Sequence, residues 1–146
     1  MNTTQTVKKI GIFVLAYFLV IGLCVYISNL PQLITGNYSL VNEYYYTNWK
    51  TSIVMDFVFI VLYGLVAYAI WNGLNITNLY YQCIVLILTT GLLTLFFWWY
   101  YTKDPIDDKS FFSRWFHTVS WPAAIYDMVL LGTLFVVYQL LVSALV

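Results

Sequence analysis

Four uninterrupted apolar stretches divide the chain, and turn-forming residues separate them. The first covers about residues 10–27, with Lys8-Lys9 before it and Ser28-Asn29 and Pro31 behind it. The second, about 51–71, carries one charge, Asp56, and stops at Asn72-Gly73, a pair that favours turns. The third, about 79–101, has no charge at all. The fourth, about 121–146, opens on Ser120-Trp121-Pro122, where a hydroxyl can cap a helix and a proline is tolerated in the first turn. Each stretch is close to the roughly 20 residues that an α-helix needs to cross a hydrocarbon core about 30 Å thick. Strands of a membrane barrel would instead show about ten residues of strict alternation. The pattern therefore predicts an all-α, integral membrane four-helix bundle, with residues 1–146 as a single transmembrane domain.

A lysine pair ahead of an apolar run is also how a signal peptide begins. The run here exceeds the usual ~7–15 residues and no small-x-small cleavage site closes it, so retention as a first span is expected. Four crossings put both termini on one side, with the connections 28–50 and 102–119 on the other. The connection 72–78 is a tight hairpin on the terminal side. Lys50, Lys103, Lys109 and Arg114 flank the two long loops against Lys8 and Lys9 at the terminal side, which favours cytosolic long loops.

Composition agrees with this reading. Apolar residues make up 62% of the chain and charged residues 8%, where soluble domains carry about 25% charged residues. Mean hydropathy is +0.81. Six basic and six acidic residues leave no net charge and no basic patch, which excludes a nucleic-acid partner. Membrane lipids and other membrane subunits, or a second copy of the chain, are the partners such a surface implies. Tyr44-Tyr45-Tyr46, Trp49, Trp98-Trp99-Tyr100-Tyr101, Trp115 and Trp121 all fall on the two-loop side, where amphipathic rings form an interfacial belt. A stacking or sterol-contacting platform is the alternative. Val41/Tyr45/Lys50 and Leu95/Tyr100/Lys103 fit the loose cholesterol pattern, as almost any belt followed by a lysine does.

Two acids inside the apolar stretches carry the candidate chemistry. Asp56 lies about five residues into the second stretch and Asp127 five after Pro122, so each sits roughly 7–8 Å along its helix. Both helices start from the two-loop side, which places the acids at similar depth. A carboxylate in that position must be paired, protonated or wetted. One reading has each acid stabilised by its helix dipole and reaching water or a loop Lys or Arg. A second has them contact a partner subunit. A third makes them a shared ion or proton site, with Tyr63, one face along from Asp56, supplying a hydroxyl. The approaches Trp49…Asp56 and Trp121…Asp127 also form a faint internal echo.

The one cluster of charge lies in the third connection, an interfacial group of Asp104, Asp107 and Asp108 followed by Arg114 and His117. Its spacing matches neither an EF-hand nor a zinc signature, so the expectation is a solvated turn followed by a short amphipathic helix near 111–117, with no metal. Cys24 and Cys83 form no C-x-x-C pair and are expected to pack unbridged, both towards one membrane side. Three sequons begin at Asn2, Asn37 and Asn75, with Asn37 on the opposite side from the other two.

No nucleophile elbow, phosphate loop, dinucleotide fingerprint or zinc-protease helix occurs, so neither an enzyme nor a cofactor is expected. The leading expectation is a non-catalytic accessory or structural subunit of a larger membrane assembly, such as a multisubunit enzyme complex or a virion membrane layer. The alternative is a small autonomous transporter, channel or lipid-binding protein in which Asp56 and Asp127 line a polar cavity.

Overall fold

In the computed structural model, which describes residues 3–146, the chain is all-α and no strand occurs among the described residues. Asn2, the acceptor residue of the first sequon, lies outside the described residues. The elements are α1 (Thr3–Ile27), α2 (Leu30–Thr35), α3 (Tyr38–Asn42), α4 (Trp49–Gly73), α5 (Leu79–Thr102), α6 (Phe111–Val119) and α7 (Pro122–Leu145). Of these, α1, α4, α5 and α7 are long and apolar enough to cross a membrane. Their outward faces stay apolar: Val54, Leu92 and Leu140 are each more than half exposed. Helices that are hydrophobic all round suit a lipid environment rather than water.

The spans are longer than the apolar stretches that announce them. Helix α1 begins at Thr3, seven residues before the stretch at 10–27, because polar residues there keep helical geometry. It ends by widening into π geometry over Gly22–Ile27, where the Ser28 N–H bonds the Leu23 carbonyl at 2.9 Å. Ser120 does not cap α7 through its hydroxyl, contrary to expectation. It takes φ +62°, and its backbone carbonyl accepts from Ala123 N–H at 3.2 Å.

Helices α5 and α7 approach most closely where small residues allow it. A Cβ added to Gly91 would stand 2.7 Å from Met128 Sδ, and one added to Gly132 would stand 3.1 Å from Ile87 Cδ1. Gly91→Leu should therefore push α5 from α7 and cost about 1–3 kcal/mol. Gly91→Ala should cost much less, because the Met128 thioether is flexible enough to swing aside. Thermal unfolding of the two variants in detergent checks the order.

Residues 28–50 do not form a loose extramembrane loop. Pro31 sits in the first turn of α2, Gly36 ends the helix at φ +66°, and the Asn37 side chain caps α3 by accepting from Leu40 N–H at 2.9 Å. That contact also occupies the side-chain oxygen of the sequon asparagine. From Glu43 to Thr47 the helix widens again to π geometry, with Asn48 N–H bonding the Glu43 carbonyl at 3.0 Å. The segment packs back on the bundle, burying Pro31, Gln32, Leu40, Val41 and Tyr45. Tyr26 donates to the Tyr45 carbonyl at 2.9 Å and Ser52 to the Tyr44 carbonyl at 2.6 Å, fixing this segment against α1 and α4.

The aromatic belt is correspondingly smaller than expected. Trp49, Trp99, Tyr100 and Trp121 are exposed as belt residues, whereas Tyr45 and Trp115 belong to the core. The cysteines are free, as expected, but not on one side: Cys24 is near the end of α1 and Cys83 near the start of α5, which antiparallel succession places at opposite ends.

Candidate functional site

Asp56 on α4 and Asp127 on α7 face one cavity of about 80 Å³. One water needs about 10–15 Å³ of such space, so the cavity admits several waters or a small cation. Both acids are half-buried, with Asp56 Oδ2 itself cut off from solvent. Asp56 Oδ1 accepts from the Tyr44 hydroxyl at 2.8 Å, while Asp56 Oδ2 is buried and meets no donor. Asp127 Oδ2 accepts from the Thr94 hydroxyl at 2.6 Å. Tyr63 stands 3.4 Å from Thr94 Oγ1. Since Thr94 spends its proton on Asp127, Tyr63 is the donor in that contact.

Tyr63 thus serves Asp127 through Thr94, and not Asp56 directly as its helical spacing suggested. Between the acids, the Tyr45 and Tyr126 hydroxyls pair at 2.7 Å, both residues being buried. Burial first, then the neighbouring Asp56 carboxylate, holds the Tyr44 hydroxyl well above the ordinary tyrosine range, so it stays protonated and remains a donor. The same causes raise Tyr45.

Neither acid has a basic partner among the described residues, where the one ion pair is Arg114 with Glu43. Nor does a helix dipole suffice. Asp56 is seven residues past Trp49, and the dipole effect fades beyond the first turn. Two carboxylates without a counter-charge among the described residues require a proton, a bound cation or water in the cavity beside them.

The roof of the cavity is α6. Ser110 caps this helix by accepting from Ser113 N–H, and its inner face presents Phe111, Phe112, Trp115 and Phe116 to the cavity. Phe111 stacks on Tyr44 at 4.7 Å between centroids and Phe116 on Tyr101 at 5.6 Å. On the outer face Arg114 donates twice to Glu43, at 2.7 and 2.5 Å, fastening α6 to the turn that carries Tyr44.

That hydrogen-bonded pair holds the Glu43 carboxyl below its ordinary 4.5. Its contribution to stability is present above 4.5 and is lost as pH falls through the lowered folded value. Arg114→Met should lower stability at pH 7, because a bidentate pair is lost. The cost should vanish well below pH 4, which thermal unfolding of the variant across pH measures.

The loop cluster does not converge. Asp104, Asp107 and Asp108 are exposed, and Asp107 builds the local turn by accepting from Lys109 N–H at 3.0 Å. Arg114 turns to Glu43, and His117 keeps a buried Nε2 without a partner. Among the described residues no three His, Cys, Asp or Glu side chains gather to hold a metal.

Sequence reasoning missed Tyr44, Tyr45, Tyr126 and Thr94 as site residues. For Thr94 a signal existed: it lies eight residues before Thr102, roughly 12 Å from the two-loop end of α5, near the depth of both acids. For the tyrosines no spacing rule pointed inward. Compared with family models, curated proteins and solved structures, the chain matches none.

Proposed function

We propose that the chain is a multi-pass membrane protein that binds a cation in the bilayer and moves it across, with Asp56 and Asp127 as the shared ligands. The observation that carries this reading is the pair of acids in one cavity without a basic partner, one of them with a buried oxygen that meets no donor. Intramembrane acids facing a cavity are characteristic of ion and proton paths.

Two spaces that share part of their wall support transport over static binding. Between α1 and α4 lies a second, apolar cleft of about 430 Å³, with Gln5, Lys9 and Gln139 at its terminal-side lip. Ile60 and Leu131 line both this cleft and the acid cavity, and each is almost fully buried. They form a thin apolar septum between a space at the two-loop side, roofed by α6, and a space at the terminal side. Hydrophobic constrictions of this kind gate by excluding water.

Cation binding is tested by thermal unfolding in lipid nanodiscs, at constant ionic strength, in sodium, potassium, ammonium or ethylammonium chloride against bulky N-methylglucamine. Ligand at about 100 times its Kd stabilises the native state by about 2.7 kcal/mol, so at least one cation should raise Tm by several degrees. No shift with any of them would remove the cation reading.

A groove between α5 and α7, lined by Cys83, Ile87, Ile125, Met128 and Gly132, supports a second reading as an accessory subunit that seats a partner helix. A stoichiometric large particle on mild detergent extraction would favour it over an autonomous transporter.

A further inference from the structure

The wall of the acid cavity narrows the class of cation, an inference that rests on the cation-binding reading above. Apart from the two carboxylates and the tyrosine hydroxyls, the wall is aromatic or aliphatic, with Phe59, Phe97, Tyr101, Phe112, Trp115 and Phe116 among the rings that face it. Hard metal ions such as Ca²⁺ and Mg²⁺ require about six or more oxygen ligands around them. Two carboxylates and a few tyrosine hydroxyls, most of them already paired, are a poor match for such a shell.

An ammonium group has other needs. Its N–H groups seek acceptors, and its positive charge is attracted to ring faces once water is excluded. The buried Asp56 Oδ2 accepts no hydrogen bond among the described residues, since Tyr44 serves the other oxygen of the same carboxylate and the nearby Tyr45 hydroxyl is paired with Tyr126. Asp127, whose Oδ2 is held by Thr94, faces the same space. A cavity of about 80 Å³ sets the scale at a few heavy atoms.

We propose that the site takes a small primary ammonium, an –NH₃⁺ group on a short alkyl chain, which gives N–H donors to Asp56 and Asp127 and lays its alkyl body against the surrounding rings. Tetramethylammonium has the charge but no N–H and leaves Asp56 Oδ2 unserved. Sodium and potassium have the charge but gain little from rings in place of oxygens.

Isothermal titration of the full chain in lipid nanodiscs with the chlorides of ethylammonium, tetramethylammonium, sodium and potassium tests this. Ethylammonium should bind at least about tenfold more tightly than the other three, as one additional charge-assisted hydrogen bond provides. Phe112→Leu keeps an apolar side chain but removes a ring from the wall, and should weaken ethylammonium about fivefold. Should that variant fail to fold, Phe97→Leu makes the same test. Preference for sodium or potassium, or for tetramethylammonium, overturns the primary-ammonium assignment and leaves a cation site standing. Ethylammonium affinity unchanged in both ring variants overturns the role of the rings. Absence of binding by every cation overturns this inference and the reading beneath it together.

Discussion

Replacing Asp56 and Asp127 together by asparagine is expected to reduce cation flux into proteoliposomes by about a hundredfold or more, without loss of the fold. Asparagine keeps the volume of each side chain and an oxygen that accepts from Tyr44 or from Thr94. What it removes is the negative charge. Losing the charged partner of an enclosed cation costs about 2–5 kcal/mol, which is the source of the hundredfold figure. Each single variant should also lose most of the flux, because the acids face one space and share the ligand. Stability should move the other way. Neither carboxylate has a counter-charge among the described residues, and relieving an unpaired buried charge is neutral or stabilising. Flux and Tm measured on the same variants distinguish this outcome from simple unfolding, in which both would fall.

The second large effect is expected at the septum. Ile60→Ala with Leu131→Ala should join the acid cavity to the apolar cleft and produce a leak at least about tenfold above wild type, no longer saturating with cation. Both side chains are almost fully buried and each lines the two spaces at once, so truncating them thins the apolar wall between those spaces. A hydrophobic constriction that is widened admits water, and with it ions. The same truncations cost about 2–5 kcal/mol each as lost packing, so a leak caused by general loosening must be separated from one caused by the septum. Leu86→Ala provides the separation. Leu86 is buried and lines the cleft but not the acid cavity, so it should cost similar stability and produce no leak.

The parts of this picture that could be read from the chain are those governed by solvent. Four apolar stretches of membrane length predict four helices because backbone groups in lipid must be bonded within their own segment. The common depth of Asp56 and Asp127 followed from helix rise alone, since α4 and α7 start from the same end. Helix termini were less legible: polar residues from Thr3 onward continue α1, and nothing in the apolar pattern marks that.

The site's completion depended on residues 28–50, where reading failed for a physical reason. Tyr44 and Tyr45 sit in a π-helical turn whose extra residue per turn rotates side chains away from the directions that helical spacing predicts. A run of three tyrosines beside a span looks like an interfacial belt, and only packing of that turn against α4 and α6 directs Tyr44 to Asp56. Tyr63 was recognisable as a polar residue on a useful face, but its link to Asp127 passes through Thr94 of α5, a contact between helices that a single chain's spacing does not encode. Arg114 likewise read as part of a loop cluster, whereas its partner Glu43 is 71 residues away.

The most direct measurement of the central claim is cation uptake into proteoliposomes holding the purified wild-type chain under an inside-negative potential, with ethylammonium, sodium, potassium and proton flux each followed. Saturable uptake of one of these cations above protein-free vesicles, lost in Asp56→Asn with Asp127→Asn, is the predicted result. Uptake equal to protein-free vesicles for every cation, from protein that retains its helical fold, would contradict the account.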